Sequence, residues 1–196
     1  MRQGISKIEI LIGVAVICLA GMFLVPGYRA QGVAEDRARC LSNLAVIGDG
    51  LAAYLRDSGD VWPAVSKLRS VQTHDPAWPT LDAVLKPYLS GNADVLQCPA
   101  DRRLLQSDHK LFAQFGARTT WHETEGASYE WLMGDAYAGK KVGQEPLASA
   151  KGFGMGRADM PLISEFEPFH KGDGQGSFNT LNADLKPRTA RDEVAR

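Results

Sequence analysis

From Ile8 to Val25 the chain reads IEILIGVAVICLAGMFLV, 18 residues with one charge, Glu9. A run of that length sits at the lower edge of what crosses a bilayer as a helix, and Ile5, Ser6 and Lys7 extend it comfortably. The competing reading is a cleaved secretory signal, with Ala20-Gly21 or Gly27 to Ala30 as the cleavage region. The near absence of a basic leader and the acid inside the apolar run argue against it. A carboxylate near the start of a membrane helix is costly unless it is paired, so Glu9 is read as a functional residue with a partner to be named. The alternative places it in the headgroup layer.

The segment GISKIEILIGVAV resembles the N-terminal signal of the type IV pilin-like family, which includes the pseudopilins of type II secretion. The resemblance implies a leader over residues 1–4, cleaved after Gly4 by a prepilin peptidase on the cytoplasmic side, with N-methylation of Ile5. Glu9 then stands at the family's acidic position, and Pro26 falls where pilins commonly carry a helix-bending proline. Lys7 stands where the family usually has an apolar residue. On this resemblance residues 5–26 form a transmembrane and assembly helix in the bacterial inner membrane, single-pass, with the head in the periplasm. Glu9 would pair with the Ile5 amine of a neighbouring copy inside the filament. Such a buried pair adds little net stability but fixes register, because a missing partner is heavily penalised. The implied partners are copies of the chain, other pilin-like subunits, the assembly platform of the inner membrane and the lipid itself.

Beyond Pro26 an amphipathic continuation is expected over 27–58. Cys40, Leu44, Ile47, Leu51 and Tyr54 recur at spacings of four and three, the stripe of a helix packed along one face. Pro26, Gly27 and Gly32 predict a bend or locally melted section where the helix leaves the membrane. Asp57-Ser58-Gly59-Asp60 predicts its end. The remainder, 59–186, reads as a globular α+β head. A second helix is expected from Pro79 or Thr80 to about Leu89, with short strands near 95–97, 128–133, 161–166 and 178–185. The stretch 134–158 reads as a long loop, and 187–196 as a solvated tail. The expected fold class is therefore α+β and pilin-like: a long N-terminal helix, half transmembrane and half amphipathic, packed on a small antiparallel sheet.

Three further segments, CLSNLAVIGDGLAAYLRDSGDVWP, LQCPADRR and HKGDGQGSFNTLNADLK, resemble a prepilin-like subgroup whose C-terminal part carries His, a spacer of about nine residues, then Asp-Gly. Here His170 and Asp184 stand further apart, and Leu185 replaces the glycine. With the head outside the cytoplasm, Cys40 and Cys98 are candidates for a disulfide, the alternative being two reduced buried thiols. Cys18 reads as a small apolar residue of the membrane run.

Candidate chemistry elsewhere is sparse. No Cys-x-x-Cys or close His pair exists among His74, His109, His122 and His170, so no zinc site is expected from spacing. Asp173, Asn179, Asn182 and Asp184 supply oxygen donors for calcium, without EF-hand spacing. His170, Asp173, Asn182 and Asp184 are thus carried as a C-terminal structural or calcium site, and no other cofactor is expected. The glycines of GFGMG (152–156) follow no apolar strand. No nucleophile elbow accompanies His170, and no catalytic residue is assigned. The four tryptophans read as core or interface packing rather than a glycan platform. A net charge of -1 and no basic, aromatic-interleaved stripe give no footprint for nucleic acid. The expected function is a non-enzymatic filament subunit; the alternative is a membrane-tethered extracytoplasmic ligand-binding module.

Overall fold

The computed structural model describes residues 7–70, 77–102, 120–144, 157–171 and 178–190. In the first half of the long helix, side chains are described for Ile8 and residues 11–19, and then from Gln31 onward.

One helix, α1, runs from Lys7–Asp57 without a break, through Pro26. Residues 26–32 remain helical, which corrects the expectation of a locally melted section. A proline removes one backbone donor, and that loss is confined to one turn of a helix that continues on both sides of it. The helix ends as expected. Asp60 N–H bonds back to the Leu55 carbonyl at 2.8 Å, and Gly59 takes φ 67°, the left-handed capping geometry that glycine adopts without penalty.

The two halves of α1 differ in what covers them. Ile8, Leu11, Ile12, Val14, Val16, Ile17 and Leu19 are all exposed, Ile17 at 72%, and their positions take in most of the helix circumference. Among the described residues no helix is long and apolar enough to cross a membrane; the described side chains of the apolar run end at Leu19, short of the roughly 20 residues a span takes. In the second half Cys40, Leu44, Ile47 and Leu51 are fully buried, the stripe read from their spacing. Leu55 closes it, while Tyr54 is half-buried and edge-packed on Tyr88.

The head is a four-stranded antiparallel meander, β1 Tyr129–Trp131, β2 Pro161–Glu165, β3 Phe178–Asn182 and β4 Pro187–Ala190, in that order. Helix α1 lies against β3, β4 and a 3-10 turn at Ala93–Leu96. Consecutive residues Leu162 and Ile163 of β2 are both fully buried, at an irregularity in the β2–β3 register where Leu162 is the extra residue. Trp62 and Trp131 meet in the core, and Trp121 stacks on Phe166 at 4.4 Å.

Three expectations are corrected. Residues 187–190 are not tail: Pro187–Ala190 pairs with β3 from Leu181↔Pro187 to Phe178↔Ala190. A proline at the first position of an edge strand forfeits only one donor. The strand expected near 95–97 is not formed: Ala93–Leu96 make a 3-10 turn that buries Val95 and Leu96 beside α1. The second helix is present where expected: α2, Leu81–Leu85, tightens into a 3-10 turn at Lys86–Tyr88, where Pro87 lacks the donor to continue. Two further short helices, α3 Trp121–Glu125 and α4 Gly134–Tyr137, flank β1 in sequence, so part of the expected 134–158 loop is ordered; its GFGMG stretch lies outside the described residues.

Gly48 sets how closely α1 approaches the sheet. A Cβ there would lie 2.9 Å from the Leu185 carbonyl oxygen and 3.1 Å from Leu181 Cδ1. Gly48→Val should therefore cost about 1–3 kcal/mol of head stability. Gly32→Val, with nothing within 4 Å, should be close to neutral. Denaturant midpoints of the two full-length variants test the pair, and equal midpoints would show that the close approach is not limiting.

Candidate functional site

The most concentrated polar chemistry in the described head lies where α1 meets β2. Cys40 faces the head because it belongs to the buried stripe of α1. Cys98 follows the 3-10 turn, Glu165 ends β2, and His170 lies in the turn after it. Cys40 and Cys98 form a disulfide, with Cα atoms 5.2 Å apart. The expected pairing is thus present, and it ties α1 to the head. Cys18 is free and exposed.

Glu165 and His170 press against that bridge, all four residues having no exposed surface. His170 Nε2 lies 2.9 Å from Glu165 Oε1 and 3.5 Å from Cys98 Sγ. Glu165 also accepts from the Asn179 backbone N–H at 2.7 Å and from Asn179 Nδ2 at 3.0 Å. A third element closes the group. Arg37, one turn before Cys40 on α1, donates through Nη2 to the His170 carbonyl at 2.8 Å and reaches Asn179 Oδ1 through Nη1. A buried cation and a buried carboxylate are thus linked through one asparagine, an arrangement stable only while its hydrogen bonds are complete.

A second polar cluster holds Cys98 from the other side. Its N–H donates to Ser128 Oγ at 3.0 Å, and that hydroxyl donates to Asp101 Oδ2 at 2.7 Å. Asp101 also receives the N–H groups of Trp121 and His122. Burial nevertheless raises its carboxyl above the ordinary aspartate value, outweighing these hydrogen bonds. Burial first, and the Glu165 charge second, push the Tyr129 phenol up.

The remaining sequence-derived site residues are dispersed. Asp184 sits in the β3–β4 turn, where Arg188 holds it with two contacts of 2.7 Å; that hydrogen bonding lowers its carboxyl to about 2. Asn182 is spent on Thr180 and the Ala158 carbonyl. Asp184 and Asn182 therefore have protein partners of their own, and neither belongs to the four-residue group around His170. Asp173, Gly4 and Ile5 lie outside the described residues, as do the side chains of Glu9 and Pro26. Leu185, which stands in place of the subgroup's glycine, adopts φ 59°, the left-handed region that glycine favours.

Sequence reading missed Arg37, Asp101 and Glu165. Only Arg37 carried a signal: it precedes Cys40 by three residues and so falls on the buried stripe. Away from this site, a cleft of about 310 Å³ is lined by Arg69, Asp82, Lys86, His122 and Gly126. Comparison of the chain with family models, with curated proteins and with solved structures finds no match.

Proposed function

We propose that the chain is a structural subunit of a type IV pilus-like filament or type II secretion pseudopilus, assembled through its N-terminal helix. The observation that carries this reading is the division of α1. The described part of its first half exposes large apolar side chains over most of its circumference, while its second half is disulfide-bonded and packed to the head. A helix apolar over so much of its surface requires apolar surroundings, either lipid or other helices of the same kind. In this reading residues 5–26 leave the inner membrane to pack in the filament core, and the head is displayed in the periplasm.

Two features support the prepilin-like subgroup in particular. His170 occupies a fully buried, bonded position, and the residue after Asp184 has the backbone geometry glycine favours. The function is mechanical and involves no catalysis by the chain. The tethered binding module would instead use the cleft beside Arg69 and Asp82, and would need neither the Gly4-Ile5 junction nor Glu9.

The test is to express wild type and Glu9→Ala in the native host and measure membrane-fraction abundance and cross-linked or sheared oligomers. Wild-type protein should have lost Met1–Gly4 by intact mass, with a methyl group on Ile5, and should form oligomers. Glu9→Ala should insert normally, being more apolar, and lose the oligomers, because the Ile5 amine of each neighbour is left unpaired. A mature N-terminus beyond residue 26, or oligomers persisting at the wild-type level in Glu9→Ala, would defeat the reading.

A further inference from the structure

Cys40, Cys98, Glu165 and His170 come from four separate segments, yet one ligand atom from each lies within 4.8 Å of the other three. We infer that, when the two cysteines are thiols, this group closes on a single zinc ion, so that metal and disulfide are alternative cross-links between α1 and the head.

Two thiolates, one imidazole and one carboxylate make a donor set that suits zinc, a borderline-soft cation satisfied by four ligands in a tetrahedron. Zinc bonds of about 2.3 Å to sulfur and 2.0–2.1 Å to nitrogen or oxygen put ligand atoms about 3.3–3.8 Å apart. Two of the spacings already match: Cys98 Sγ lies 3.5 Å from His170 Nε2 and 3.6 Å from Glu165 Oε1. The His170–Glu165 contact at 2.9 Å must open slightly. The sulfurs, bonded to each other in the disulfide, take up a spacing of about 3.8 Å once that bond is opened.

Charge is conserved in the exchange. In the disulfide form the Glu165 carboxylate is offset by Arg37, a buried cation held two hydrogen bonds away through Asn179. In the zinc form two thiolates and one carboxylate face a dication, so the four ligands and the metal together keep the single negative charge that Glu165 carries in the disulfide form. Proton traffic is equally simple. His170 Nδ1 is buried without a hydrogen-bond partner among the described residues and takes the ring proton when Nε2 turns to the metal.

The chain reaches the thiol form in two ways. Before oxidation the cysteines are thiols already. Afterwards a dithiol reductant supplies two electrons and two protons, is itself oxidised to a disulfide, and leaves Cys40 and Cys98 as thiols. On metal binding each thiol releases its proton to solvent as a zinc–sulfur bond forms.

The test uses full-length protein in detergent carrying Cys18→Ser, reduced by a phosphine and dialysed with zinc chloride. Metal analysis should find one zinc per chain, against none for the same protein kept oxidised. X-ray absorption at the zinc edge should show two sulfurs at about 2.3 Å and two lighter ligands at about 2.0 Å, a readout that needs no further variant. His170→Ala should weaken zinc affinity more than about 100-fold, beyond what loss of an outer-shell partner costs. No zinc in the reduced protein, an absorption spectrum with more or fewer than two sulfurs, or undiminished affinity in a folded His170→Ala would overturn the inference.

Discussion

Replacing Glu165 by leucine should lower the unfolding free energy of the head by about 3–5 kcal/mol, the usual cost of removing one member of a buried charged pair. The side chain has no exposed surface, and three donors converge on it: His170 Nε2 and both nitrogens of Asn179. Leucine fills much of the same volume and accepts from none of them, so each donor is left buried and unmade. Glu165→Gln should cost less, because one carbonyl oxygen survives while its amide opposes one of the donors. Urea unfolding of the full-length protein, followed by the fluorescence of buried Trp62 and Trp131, would measure the series. A loss below about 1 kcal/mol for the leucine variant would show that the network contributes no more than an exposed pair does.

Breaking the cross-link should have an effect of similar size. The bridge joins residues 58 apart in sequence, and the chain-entropy model values closure of such a loop at about 4 kcal/mol. The double variant Cys40→Ala, Cys98→Ala should therefore unfold at a markedly lower urea concentration than the oxidised wild type. The loss should be uneven along the chain. The second half of α1 keeps Leu44, Ile47 and Leu51 against the head, so its lower end should stay protected. Hydrogen exchange should rise most around Arg37 and Cys40, where the bridge, the Arg37 hydrogen bonds and the Asp36–Arg102 ion pair tie the helix to the head. Unchanged exchange there, with an unchanged midpoint, would mean that packing alone holds the helix.

Features that depend on neighbours in the chain were legible without the fold. Hydrophobic spacing named Cys40, Leu44, Ile47 and Leu51 as one buried face, since a helical period is written into consecutive residues. The turn chemistry at 57–60 marked the helix end. The strands at 129–131, 161–165 and 178–182 were located to within a few residues, and having only two cysteines beyond the apolar run made Cys40 and Cys98 the candidate bridge. Where reading failed, a local signal was outweighed by a distant one. Residues 187–190 look like a basic, solvated end until β3 offers them a ladder. Residues 95–97 look like a strand until α1 offers Val95 and Leu96 a surface.

The sequence by itself determined the apolar run, its amphipathic continuation and the α+β class, because periodicity and turn residues act over a few positions, and it left Cys40 and Cys98 as the candidate bridge. Only the tertiary structure decided that Arg37, Cys98, Glu165, His170 and Asn179 would meet. Arg37 and Asn179 are 142 residues apart, and no spacing rule connects them. Their meeting is enforced by burial: once α1 packs on β3 and β4, each of these polar groups loses water and must find its partner among the others.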